Sequence, residues 1–135
     1  MKRSVLVAYQ IVTGLSDTVT GILLCVAPAL TLRLMGVHAP PDALPFVGYI
    51  GAFVLSVGLA CLYGARIARI PSATDRIETV WLLTALSRAA VALYLLPEIS
   101  IGNFGHAWLS VALFDGACAL IQVIGLRRGW LRNAR

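Results

Sequence analysis

Apolar positions gather in four long runs, residues 4–27, 44–65, 77–96 and 105–126, separated by short polar or proline-bearing stretches. A helix that crosses a bilayer needs about 20 mostly apolar residues. The pattern therefore predicts an all-α, integral membrane four-helix bundle built by one domain over residues 1–135. Breakers stand where the helices should stop: Pro28 after the first run, Pro71 beyond the second and Pro97 after the third. Pro40, Pro41 and Pro45 mark the start of the second. Asp75 and Glu78 have the spacing of an N-capping pair for the third helix. Residues 29–36, apolar with one arginine, read as a short interfacial turn of helix ending at Gly36. No internal repeat is evident.

Polar residues inside these runs fall on single helical faces. Gln10, Thr13, Asp17 and Thr20 share one face of the first helix, Trp81, Thr84 and Arg88 one face of the third, and Ala112, Asp115, Ala119 and Gln122 one face of the fourth. Three of these residues are ionisable, and a lone charge at the bilayer centre costs roughly 2.5–3.5 kcal/mol on insertion scales. Such groups turn toward a protein interior and toward each other. At 1.5 Å per residue Arg88 lies about 15–17 Å from the end of its run, and Asp17 and Asp115 fall near the same plane. Arg88 is expected to bond Asp115, Asp17 or both. Asp115 is favoured because a short loop makes runs three and four an antiparallel hairpin. Two aspartates against one arginine leave a negative charge if both are ionised, so one carboxyl can hold a proton. The cluster is thus either a structural lock or a proton or ligand site, with Asp17, Arg88, Asp115, Gln10, Thr13, Thr84 and Gln122 as its residues.

Packing should come from small residues. Gly48, Ala52, Ser56, Ala60 and Gly64 recur at every fourth position of the second run, and helices in lipid associate through close backbone approach along such stripes. This stripe is the expected seam to an internal partner helix. Trp81 and Trp130 should mark the inner membrane interface and Trp108 the outer one.

Composition agrees with lipid as the solvent. The chain has 135 residues, 59% hydrophobic and 13% charged, about half the charge of an ordinary soluble domain, and a mean hydropathy of +0.87. Its net charge of +5 does not form the basic face that nucleic-acid binding requires. Lys2, Arg3, Arg66, Arg69, Arg76, Arg127, Arg128, Arg132 and Arg135 collect on one side, Arg33 alone on the other. By the positive-inside rule both termini and the loop between runs two and three face the cytoplasm. The basic start resembles a leader, but the apolar run is too long for one and Asp17 interrupts it, so it is read as a mature first span. The expected location is the inner (plasma) membrane.

Candidate chemistry narrows little further. Cys25, Cys61 and Cys118 are far apart inside apolar runs, without metal or thiol-exchange spacing. His38 and His106 fall on the outer side near Asp42 and Glu98, without the geometry of a metal or haem motif. No hydrolase, zinc-protease, P-loop or dinucleotide motif is present, and Ser87 has no histidine at its depth.

The first span closing at Pro28 with Leu34-Met35-Gly36 beyond it resembles the DoxX-like group of small four-span bacterial membrane proteins. So does the second span, with Gly48 and Gly51 followed by Val57-Gly58-Leu59. That resemblance implies a four-helix bundle and, for some relatives, a link to quinone or sulfur redox complexes. It carries over no catalytic residue and no defined cofactor. The expected function is a non-catalytic accessory subunit or a binder of an apolar ligand, a quinone or lipid, in the polar bundle core. Its partners would be the bilayer, that ligand, and a larger membrane complex or a second copy. The alternative is a proton-coupled transporter or membrane enzyme that titrates Asp17 or Asp115.

Overall fold

The computed structural model describes residues 2–133, in which every regular element is a helix and no strand occurs. Arg135, counted above with the basic side, lies outside the described residues. Helix α1 spans Arg3–Val26, α2 Pro28–Leu34, α3 Leu44–Ile67, α4 Thr74–Ser100 and α5 Leu109–Arg127. Short 3-10 turns at Pro41–Ala43, Pro71–Ala73 and His106–Trp108 lead into α3, α4 and α5. Four of these helices, α1, α3, α4 and α5, are long and apolar enough to cross a membrane. Their burial runs opposite to that of a soluble bundle. Gln10, Thr13, Asp17, Thr84, Arg88 and Gln122 are buried, while Val12, Phe46, Leu93 and Leu120 are among many large apolar residues on the outside. Water would penalise both halves of that arrangement. It is the layout of a multi-pass membrane protein.

Local chemistry explains most helix ends. Pro28 and Pro45 sit in the first turns of α2 and α3, where no helical donor is lost. Gly36, Gly102 and Gly129 are the residues of positive φ, and each closes a helix in the same way. At the first, Val37 N–H donates to Leu32 O and Gly36 N–H to Arg33 O. This double return needs a left-handed residue, which glycine adopts without a Cβ penalty.

Two expected boundaries differ. Pro97 does not end α4, which runs on to Ser100. A proline costs its own N–H bond and crowds the preceding turn, but here only the final turn follows, and Gly102 closes it, with Asn103 N–H donating to Glu98 O. Asp75 and Glu78 do not cap α4 either. The helix begins at Thr74 with no side-chain cap bond, so Asp75 already lies inside the first turn, and Glu78 instead accepts two bonds from Arg132, at 2.8 and 3.0 Å.

Packing divides the bundle into two close pairs, α1 with α3 and α4 with α5, while α3 and α4 meet less extensively. The α1–α3 seam takes up the expected four-residue stripe only at its ends, where Gly48 and Gly64 face α1. Ala52 and Ser56 are exposed, whereas Gly51, Gly58 and Ala65 are buried. A four-residue step advances about 40° beyond a full turn on a 3.6-residue helix, so a stripe of five such positions winds off any one face. A seven-residue step drifts only about 20°. Gly14 and Gly21 of α1 repeat the same interval. A Cβ at Gly58 would stand 2.5 Å from Thr18 N, and one at Gly51 2.6 Å from Leu24 Cβ. One at Gly21 would overlap the Leu55 backbone. These glycines let the two backbones touch.

At one end of the bundle Leu6, Ile67, Ala68, Ala73, Ile77, Trp81 and Leu131 form an apolar cluster. The start of α1, the turn between α3 and α4 and the segment after α5 therefore share that end.

Candidate functional site

Between the two helix pairs lies a layer of long side chains, and at its centre is Arg88 of α4. The polar face of α4 points it inward, where it is 2% exposed. Its Nη1 donates to Asp115 Oδ1 of α5 at 2.6 Å, and its Nη2 donates to Asp17 Oδ2 of α1. The planar fork suits this, because its donors diverge in fixed directions and a guanidinium stays charged in any protein setting. One cation thus ties three helices together. The two carboxylates keep slight exposure, 11% for the Asp17 side chain and 15% for that of Asp115. The Phe114 ring covers the guanidinium at 5.3 Å, within cation–π range. As ionised groups the three residues carry a net single negative charge.

Around this centre the polar faces meet as side chain to backbone and side chain to side chain. Thr13 Oγ1 donates back to Tyr9 O at 2.9 Å. Gln122 Nε2 of α5 donates to Thr84 Oγ1 of α4 at 2.7 Å, and that hydroxyl donates to Val80 O at 2.8 Å. Gln10 lies against Gly64 of α3, where a Cβ would stand 2.6 Å from its Nε2. The structure thus brings Asp17, Arg88 and Asp115 into direct contact and joins Thr84 to Gln122. Thr13 donates to a carbonyl of its own helix, and Thr20 is half-buried.

Several buried polar atoms have no hydrogen-bond partner among the described residues: both Nε2 and Oε1 of Gln10, Trp81 Nε1, Gln122 Oε1, Thr18 Oγ1 and Arg88 Nε. Gln10, Trp81 and Gln122 are fully buried, so these atoms face neither solvent nor hydrocarbon. Leaving such a group unmet costs roughly 1–3 kcal/mol.

Trp81 is not an interfacial belt residue. It is 0% exposed, its ring packs on Tyr9 with centroids 5.5 Å apart, and it fills the space that Gly125 leaves, where a Cβ would meet its ring at 2.5 Å. Its place on the face of Thr84 and Arg88 was the available signal, and that face points into the bundle. Tyr9 escaped the sequence reading. It precedes Gln10, reaches across from α1 and donates to Cys118 O of α5 at 3.4 Å. Cys61 and Cys118 are both buried and lie near enough to Arg88 to feel its charge. Nothing in their spacing signals that meeting, which depends on how the helix pairs are set together. His38 is exposed on a loop and His106 is exposed where it opens the 3-10 turn before α5, and among the described residues no cluster of three potential metal ligands forms. Scans against protein-family models, curated proteins and solved structures each return no match, and the site stands on its own geometry.

Proposed function

We propose that the protein is a non-catalytic, DoxX-like membrane protein that binds the polar head of an apolar ligand, a quinone or lipid, in the layer between its helix pairs. It serves there as a small binder or as an accessory subunit of a membrane redox complex. The observation that carries this reading is the set of unpartnered, buried polar atoms of Gln10, Trp81 and Gln122. Together they offer amide and indole donors and amide acceptors inside an apolar shell. This is the chemistry that orients a carbonyl- or hydroxyl-bearing head. The Asp17–Arg88–Asp115 set holds the helices around that layer. In the same reading the protein resides in the inner membrane with both termini in the cytoplasm, since its basic residues gather at that end.

Native mass spectrometry of the protein extracted in mild detergent tests the proposal. A bound quinone or lipid, or a copurifying complex, that is lost in Gln10→Leu and Gln122→Leu supports it. A bare monomer, or a ligand unaffected by both changes, overturns it.

A second reading has its own observation: two carboxylates meet one guanidinium, so neutrality requires one proton. In that reading Asp17 or Asp115 carries a proton in coupled transport. Asp115→Asn then abolishes proton-coupled flux in proteoliposomes while the protein stays folded. Unchanged flux, or no flux in the parent protein, removes this alternative.

A further inference from the structure

A second, separate feature lies on the outer surface at the end of the bundle that carries the basic residues. A groove of about 460 Å³ runs between the first turns of α1 and the end of α3, lined by Arg3, Ser4, Val7, Ala8, Ile11 and Arg69. Its composition is graded. Val7, Ala8 and Ile11 of α1 make its lining almost wholly apolar, and Arg3, Ser4 and Arg69 border it toward the basic end. Arg3 is held in place, since its Nε donates to the Ala68 carbonyl at 2.7 Å. Arg69 is exposed. Among the described residues neither arginine takes part in a salt bridge, and no acidic side chain lines the groove.

We propose that this groove is a binding site for an anionic phospholipid. The phosphate sits between the Arg3 and Arg69 guanidinia and one acyl chain lies along Val7, Ala8 and Ile11. Charge complementarity selects the head: two unpaired cations at a membrane interface attract an anionic lipid, each such residue contributing about fivefold in affinity. Guanidinium forks also match phosphate oxygens bidentately, and the one fixed by Ala68 loses little freedom on binding. The apolar wall selects a lipid over a free phosphate, because only a chain covers it. This site is independent of the ligand layer in the bundle core and shares no residue with it.

The test is native mass spectrometry of the protein in detergent micelles doped with phosphatidylglycerol or phosphatidylcholine. Retention of one phosphatidylglycerol in preference to phosphatidylcholine is expected. Arg69→Gln should lower that retention about fivefold, and Ala8→Trp, which fills the groove without changing charge, should lower it comparably. The double change Arg127→Gln with Arg128→Gln removes two charges outside the groove and should leave retention unaltered. Equal retention of the two lipids overturns the proposal. So does full retention in Ala8→Trp, or an equal loss in the Arg127/Arg128 variant, which would mark a general charge effect. Displacement of the lipid by millimolar glycerol phosphate would likewise overturn it, by showing that the apolar wall contributes nothing.

Discussion

Arg88 joins two aspartates, and this changes what its removal should do. Arg88→Ala leaves two carboxylates facing each other without a cation, and breaking a buried pair costs roughly 3–5 kcal/mol. Asp17→Asn or Asp115→Asn leaves a neutral one-to-one pair and an amide that can still accept a bond, so each should cost about 1 kcal/mol. Thermal unfolding in detergent should therefore rank Arg88→Ala far below either single asparagine variant. Adding both asparagines to Arg88→Ala should recover much of the loss, since no uncompensated charge then remains. Equal destabilisation by all three single variants would show that the carboxylates act in some other way than as partners of Arg88. The three residues were legible as a set because each is a charge in an apolar run at one depth. The Tyr9–Cys118 bond was not, because an aromatic hydroxyl and a backbone carbonyl leave no periodic mark.

At the scale of the helices, association rests on glycine positions seven residues apart. Gly58→Ala sets a methyl group 2.5 Å from Thr18 N, against backbone that cannot swing aside as a side chain would. Overpacking of this kind costs typically about 1–3 kcal/mol, so Gly58→Ala should lower the unfolding temperature in detergent. Ala52→Leu and Ser56→Leu, on exposed positions of the same helix, should leave it within error. The reverse ranking would restore the four-residue stripe as the seam. Gly125→Ala should also destabilise, because its methyl group meets the buried Trp81 ring at 2.5 Å. Small residues every fourth position attract attention in a sequence, yet the rotation they accumulate keeps them from sharing one face. Which glycines meet a neighbour is settled by the crossing of α1 over α3.

For the molecule as a whole, the start of α1, the α3–α4 turn and the segment after α5 share one end of the bundle, tied by the Arg3–Ala68 and Arg132–Glu78 bonds. The basic residues concentrate there, and in the proposed orientation that end faces the cytoplasm. Cysteine introduced at Ser72, in a background without the three native cysteines, should resist an impermeant reagent added to intact cells. Cysteine at Pro41 should react with it. Labelling of position 72 from outside would invert the orientation. The Arg132–Glu78 pair is exposed on its arginine side, and solvent screening leaves such a pair little effect on stability. Glu78→Gln should therefore leave stability nearly unchanged, measured by the same unfolding assay.

Hydrophobic run length and the depth of three charges are properties of the chain itself, and they were enough to specify four long helices with an inward polar face. Both follow from local rules: lipid demands length and apolar composition, and a buried charge demands a partner. The seam through Gly51 and Gly58 and the unmet polar atoms of Gln10 and Trp81 belong to the tertiary structure. Each depends on the rotation and separation of one helix against another. Those quantities arise from packing between segments distant in the chain, where no local pattern reaches.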